Sequence, residues 1–179
     1  MHAYRVAVVA ASLAWLVGCS QSTSPTAPTS LAAPAVGADR VGSGRELPFK
    51  GTLEGGFTFV PDPPPSTFAS VDFAPLTGNA THLGRFTLKG PHRVNLATTP
   101  ATATGTFEFT AANGDTLMAS FTGLGTPTAT PGIASIVETA TIVGGTGRFA
   151  GATGRFIVER IVDLINFQTT GSLEGTIVW

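Results

Sequence analysis

Along most of the chain, apolar and polar residues alternate. In "FKGTLEGGFTF" (49–59), Phe49, Leu53, Phe57 and Phe59 share one parity, and Lys50, Thr52, Glu54 and Thr58 share the other. "GRFTLKG" (84–90) repeats this, with Phe86 and Leu88 set against Arg85, Thr87 and Lys89. In "TFEFT" (106–110) Phe107 and Phe109 face one way, as do Leu117, Ala119 and Phe121 in "TLMASFT" (116–122). A period of two belongs to the half-buried strand. The intervening Asn113-Gly114-Asp115 is a hairpin signal, because Asn-Gly tolerates positive φ. Further strands are predicted at 133–143, at 154–164 and in "GSLEGTIVW" (171–179). "RFIVERIVDLINF" (155–167) can also be read as a short helix, but its β-branched content favours a strand. No long stretch carries a helical period with caps.

The domain is therefore all-β, with strands at short intervals and glycine turns, a sandwich or a barrel. A barrel is favoured. The chain runs through Trp179 in an apolar alternating strand, and pairing that strand with the first would leave no open edge. The echo between "TLEG" (52–55) and "SLEG" (172–175) suits positions beside such a seam.

Five glycines crowd "GGTGRFAGATGRF" (144–156). Within it, "GTGRFA" satisfies a relaxed dinucleotide fingerprint, G-x-G-x-x-A. That motif works only where a strand and tight turn lead into a helix whose N-terminus meets the pyrophosphate. Here "GATGRFIVE" follows, with two more glycines and then a strand, and the lysine of a phosphate loop is absent. Gly144, Gly145, Gly147, Gly151 and Gly154 read instead as structural glycines, permitting turns, bulges and close backbone approach.

The segment "IVGGTGRFAGATGRF" (142–156) resembles the motif of plant dirigent proteins and of the barrel superfamily they share with allene oxide cyclases. Bacterial proteins with an allene oxide cyclase-like barrel are more similar still, with pieces like "THLGRFT", "GTFEFTAANGDTL" and the terminal "LEGTI". The resemblance spans roughly Leu47 to Trp179. It implies an eight-stranded antiparallel β-barrel, and it allows an oligomer. It also implies an apolar cavity with few polar groups and no cofactor, which in the plant proteins steers ring closure or radical coupling of apolar or phenolic substrates. Their catalytic carboxylates, asparagines and tyrosines find no residue-by-residue match here. The one tyrosine, Tyr4, lies in the N-terminal segment that reads as a cleaved signal.

That segment, "MHAYRVAVVAASLAWLVGCSQ", places Arg5 before an apolar run from Val6 to Val17. A charged start, a short apolar core and a small residue before the cut make a secretory signal over 1–18. The run is shorter than the about 20 residues a spanning helix needs. "LVGC" resembles the lipobox of bacterial lipoproteins, which implies that Cys19, the only cysteine, is lipidated and becomes the new N-terminus. The expected location is the bacterial cell envelope, with the membrane as partner. Ser20 rather than aspartate after the cysteine implies, in a Gram-negative cell, the outer membrane facing the periplasm. Residues 19–45, rich in Ser, Thr, Pro and Ala, lack the apolar content to offset ordering entropy and read as a disordered tether. The β-barrel domain is expected over 46–179. Loss of Arg5 takes the formal charge from −1 to about −2, which leaves no basic face for nucleic acid.

Most domain charges, Lys50, Glu54, Arg85, Lys89, Glu108 and Glu174, fall on the polar parity and read as a solvated outer wall. Two do not. Glu138 shares parity with Ile136, Ala140 and Ile142, and Arg160 with Phe156, Val158, Val162 and Leu164. Pointing inward, they would form a costly buried ion pair at a binding site. A bulge near the glycines would flip the parity and turn both to water, and that reading is preferred. His82 shares parity with Phe86 and Leu88 and is expected at the barrel mouth, structural rather than catalytic. His92 falls in "KGPHR", which reads as a turn. Two separated histidines make no metal-site signature, and no serine sits in a G-x-S-x-G setting. "FVPDPPPSTF" (59–68) reads as a rigid loop spacing two strands. The expected function is a barrel that binds a small apolar ligand, or a structural role, without catalysis; the alternative is a cofactor-free isomerase or cyclase. A wide cavity with inward Glu138 and Arg160 would favour the second. A core plugged by Phe57, Phe86, Phe107, Phe109 and Phe121 would favour a structural protein.

Overall fold

A computed structural model describes residues 44–179. Cys19, the signal segment and the tether up to residue 43 lie outside the described residues. The strands are β1 (Leu47–Pro61), β2 (Phe68–Ala80), β3 (Gly84–Lys89), β4 (His92–Asn95), β5 (Ala101–Ala111), β6 (Thr116–Pro127), β7 (Ile133–Gly145), β8 (Thr153–Asp163) and β9 (Gln168–Val178). All pairings are antiparallel, and β1 bonds both β2 and β9, so the sheet closes. β3 and β4 are two halves of one stave, each pairing with β2 on one side and β5 on the other. The barrel therefore has eight staves in an up-and-down order. The stave breaks at Gly90-Pro91, where a side chain at residue 90 would run into the Phe73 ring and proline lacks the ladder donor.

At the seam, Thr52 pairs with Ser172 and Leu53 with Gly171, so "TLEG" and "SLEG" lie on adjacent strands. The Asn113-Gly114 hairpin joins β5 to β6, with Gly114 at φ 88°. The proline-rich loop, residues 62–67, links β1 to β2.

The period-two reading does not reach β2. Glu54 pairs with Thr77 but Gly56 with Ala74, so β2 carries an extra residue opposite Gly55. The buried set accordingly switches from Ala69, Val71 and Phe73 to Leu76 and Ala80. A second bulge sits between β6 and β7, where Met118 pairs with Gly144 and Ala119 with Ile142.

The interior is divided lengthwise. At the end where β1 begins and β9 finishes, phenylalanines fill it. Phe49 packs edge-on to Phe156 at 5.3 Å, Phe86 to Phe109 at 5.2 Å, and Phe107 stacks on Phe121 at 4.2 Å. Phe149 and Trp179, 5.9 Å apart, sit at that end. Fully burying one such ring stabilises the fold by about 1.5–3 kcal/mol. The opposite end, where β1 finishes and β2 begins, is hollow. Of the five expected plugging residues, Phe86, Phe107, Phe109 and Phe121 belong to the packed half, and Phe57 lines the hollow.

Candidate functional site: a polar triad in the floor of a half-hollow barrel

Strand parity on β7 runs unbroken through Ile136, Glu138, Ala140 and Ile142, and on β8 through Phe156, Val158, Arg160 and Val162. The β7 bulge lies beyond Ile142, at Gly144, too far along to turn Glu138 outward. The preference for a solvent-facing pair is thereby overturned. Glu138 is wholly buried and Arg160 is 6% exposed. Arg160 donates from Nε to Glu138 Oε2 at 2.9 Å and from Nη2 to Oε1 at 2.5 Å. Its guanidinium carbon lies 5.1 Å from the Phe73 ring centroid. Two parallel charge-assisted bonds and an aromatic face offset much of the desolvation cost of such a pair.

His92 completes the group. It opens β4 and is buried, not in a turn. Its ring lies 5.5 Å from Phe73 and 5.5 Å from Phe121, both inward residues, which places it inside the barrel. Nδ1 is 2.7 Å from the Gly90 carbonyl oxygen. Nδ1 therefore carries the proton, and Nε2 is left as an acceptor. Burial pushes the pKa of His92 down; the Gly90 bond works against this, and the Arg160 charge adds to the fall.

Each member of the triad faces a glycine on the neighbouring strand: His92 pairs with Gly105, Glu138 with Gly123 and Arg160 with Gly171. A Cβ at any of the three would collide with its partner's side chain. The glycines thus clear the space in which the polar side chains lie. Their signal was present in the sequence, since a lone glycine at the inward parity of a strand marks close approach. His92 left only the short alternation His92–Val94.

Above the triad is a cavity of about 260 Å³, bordered by Phe57, Phe59, Val71, Val94, Ala103, Ala134, Ile136 and Val162 besides His92, Glu138 and Arg160. Leu96, Leu124 and Leu164, each about half exposed, stand at its rim. A broader groove of about 750 Å³ on the outer wall is bordered by Thr52, Glu54, Thr77, Asn79 and Arg85. It is open to solvent and has none of the buried polar groups that distinguish the interior site.

His82 does not reach the mouth. It occupies the β2–β3 turn at φ 63°, exposed, at the packed end, with its ring 5.0 Å from Trp179. The turn takes it out of the strand parity from which its position was inferred. In the glycine segment, Gly144, Gly147, Gly151 and Gly154 have φ of 128°, 56°, 75° and 143°. A Cβ on Gly145 would meet the Thr116 carbonyl oxygen, and one on Gly154 that of Thr176. A single 3-10 turn, Gly147–Phe149, follows β7 before β8 begins. Among the described residues, no three His, Cys, Asp or Glu side chains come together.

No family model matches the chain, and no curated protein matches it. Among solved structures, the pterocarpan synthase dirigent protein PsPTS1 superimposes with a TM-score of 0.50 at 15% identity, over 75% of this chain and 95% of that one. A second pterocarpan synthase dirigent protein, GePTS1, gives 0.49 at 16% identity, over 81% and 93%. At such identities the likeness is one of fold: this chain carries a dirigent-like, eight-stranded antiparallel barrel.

Proposed function

We propose that this protein is a lipid-anchored envelope barrel that binds a small apolar ligand, without catalysis, in the hollow half of its interior. The observation that carries the reading is the cavity. Protein interiors are close-packed, yet here 260 Å³ lies inside a barrel whose other half is filled by aromatic rings. That volume falls just below the roughly 300–1,000 Å³ of typical ligand pockets, and the walls are apolar but for the His92–Glu138–Arg160 cluster and Thr98 and Thr99. The test is uptake of a neutral polarity-sensitive dye, N-phenyl-1-naphthylamine, by the purified protein. Ala103→Phe, which fills the cavity from β5, should abolish uptake while melting within a few degrees of wild type. Equal uptake by both proteins would sink the proposal.

A second reading, a cofactor-free isomerase or cyclase, draws support from the inward triad. A neutral histidine with a free nitrogen can act as a base, and guanidinium N–H groups can stabilise a developing oxyanion. The dirigent proteins of like fold are named as pterocarpan synthases. A bound compound recovered chemically unchanged supports the binding reading, and one recovered as an isomer supports the second.

A further inference from the structure

The triad is satisfied internally but not completely. Arg160 spends Nε and one N–H of Nη2 on Glu138, and Nη1 has no partner among the described residues. The same holds for Nε2 of His92. No enclosed side-chain nitrogen or oxygen among them is without a hydrogen bond, so both free nitrogens meet open space, and both residues border the cavity. The two lie against the same Phe73 ring. The floor of the cavity therefore presents the free donors of Arg160 and the free acceptor of His92, on residues that are 6% and 7% exposed.

The charge of this floor is zero. Glu138 matches Arg160, and His92 is neutral. A carboxylate entering the cavity would bring an unmatched negative charge into an apolar enclosure beside Glu138, and an ammonium would meet Arg160; both are disfavoured. A hydrocarbon would cover Nη1 and Nε2 and leave both unpaired. An ether oxygen would accept from Nη1 but leave Nε2 bare. A hydroxyl both accepts and donates, and so matches the two kinds of free group together. We infer that the site takes an uncharged, largely apolar alcohol, its oxygen accepting from Arg160 Nη1 and its proton donated to His92 Nε2. This rests on the ligand-binding reading above.

The test displaces N-phenyl-1-naphthylamine from the full chain at pH 8 with 1-octanol, 1-methoxyoctane and octanoate. Octanol should compete at least about tenfold better than the ether, the cost of leaving a buried acceptor unpaired, and octanoate should not compete. In His92→Phe, octanol should lose its advantage over the ether. The paired replacement Glu138→Gln with Arg160→Met, which leaves no buried charge behind, should erase the preference as well. Should either variant fail to fold, the three wild-type affinities decide alone. Octanoate equal to octanol, ether equal to octanol, or no displacement by any of the three from a protein that does take up dye overturns the alcohol inference and leaves ligand binding intact. A protein that takes up no dye overturns ligand binding itself.

Discussion

The ring of His92 donates from Nδ1 to the Gly90 carbonyl at 2.7 Å, and its burial draws its pKa below the ordinary 6.5. The unfolded chain takes up this proton near pH 6.5 while the folded one still refuses it. Between those two values the unfolded state binds more protons, so stability falls as pH falls; above 6.5 both forms are neutral and the residue contributes nothing. Arg160 nearby opposes protonation, and Glu138 and Asp72 partly favour it. The wild type should therefore lose melting temperature as pH is lowered below 6.5, and His92→Gln should hold its melting temperature there. Asp62, held below its ordinary 3.8 by its hydrogen bond from Arg93, and Asp163, held low by Asn166, lose their contributions only as pH falls below that value. Identical acid slopes above pH 4 in the two proteins would refute this account. At this scale the sequence was half legible. Parity alone set Glu138 and Arg160 inward, and the position of the bulge, which decides whether parity survives, was not written in either strand. His92 was missed because a stave broken at Gly90-Pro91 reads as a turn.

The β7–β8 connection shows what glycine does for an element. Gly147 sits at φ 56° with the Asp115 carboxylate where a side chain would be, and Gly145 presses on the Thr116 carbonyl. Thr146 Oγ1, between them, accepts from the Thr116 backbone N–H at 2.9 Å. The connection is thus stitched to the β5–β6 hairpin by backbone contact, which a β-branched residue forbids. Gly145→Val and Gly147→Val should each lower the melting temperature sharply, by more than the few degrees that about 1 kcal/mol represents in a domain this size. Gly151→Asn should cost little, because its φ of 75° suits asparagine and nothing crowds the site. Unshifted melting of the two valine variants, together with micromolar nucleotide binding by the wild type, would restore the phosphate-loop reading. Strands with unbroken alternation (β1, β3, β5 to β9) were legible in the sequence. β2 was not, because its bulge at Pro75-Leu76 moves the apolar set from one parity to the other.

At the scale of the whole molecule, fold class followed from alternation and one Asn-Gly turn, whereas the division into packed and hollow halves did not. That division depends on which inward positions stand level around the barrel, and level is set by register, which no single strand contains. The proposed anchor belongs to this scale too. Cells making the wild type should incorporate a palmitate analogue into the protein, and globomycin should make a precursor accumulate; Cys19→Ser should carry no label. Neither label nor precursor in wild-type cells would refute lipidation. Strand β1 starts at Leu47, which pairs with Ile177 at the phenylalanine-filled end, and it finishes beside the cavity. The first described residues therefore lie at the packed end, and the mouth of the cavity lies at the opposite pole. A ligand taken up by the barrel would therefore enter and leave by that one pole, because the aromatic rings close the other.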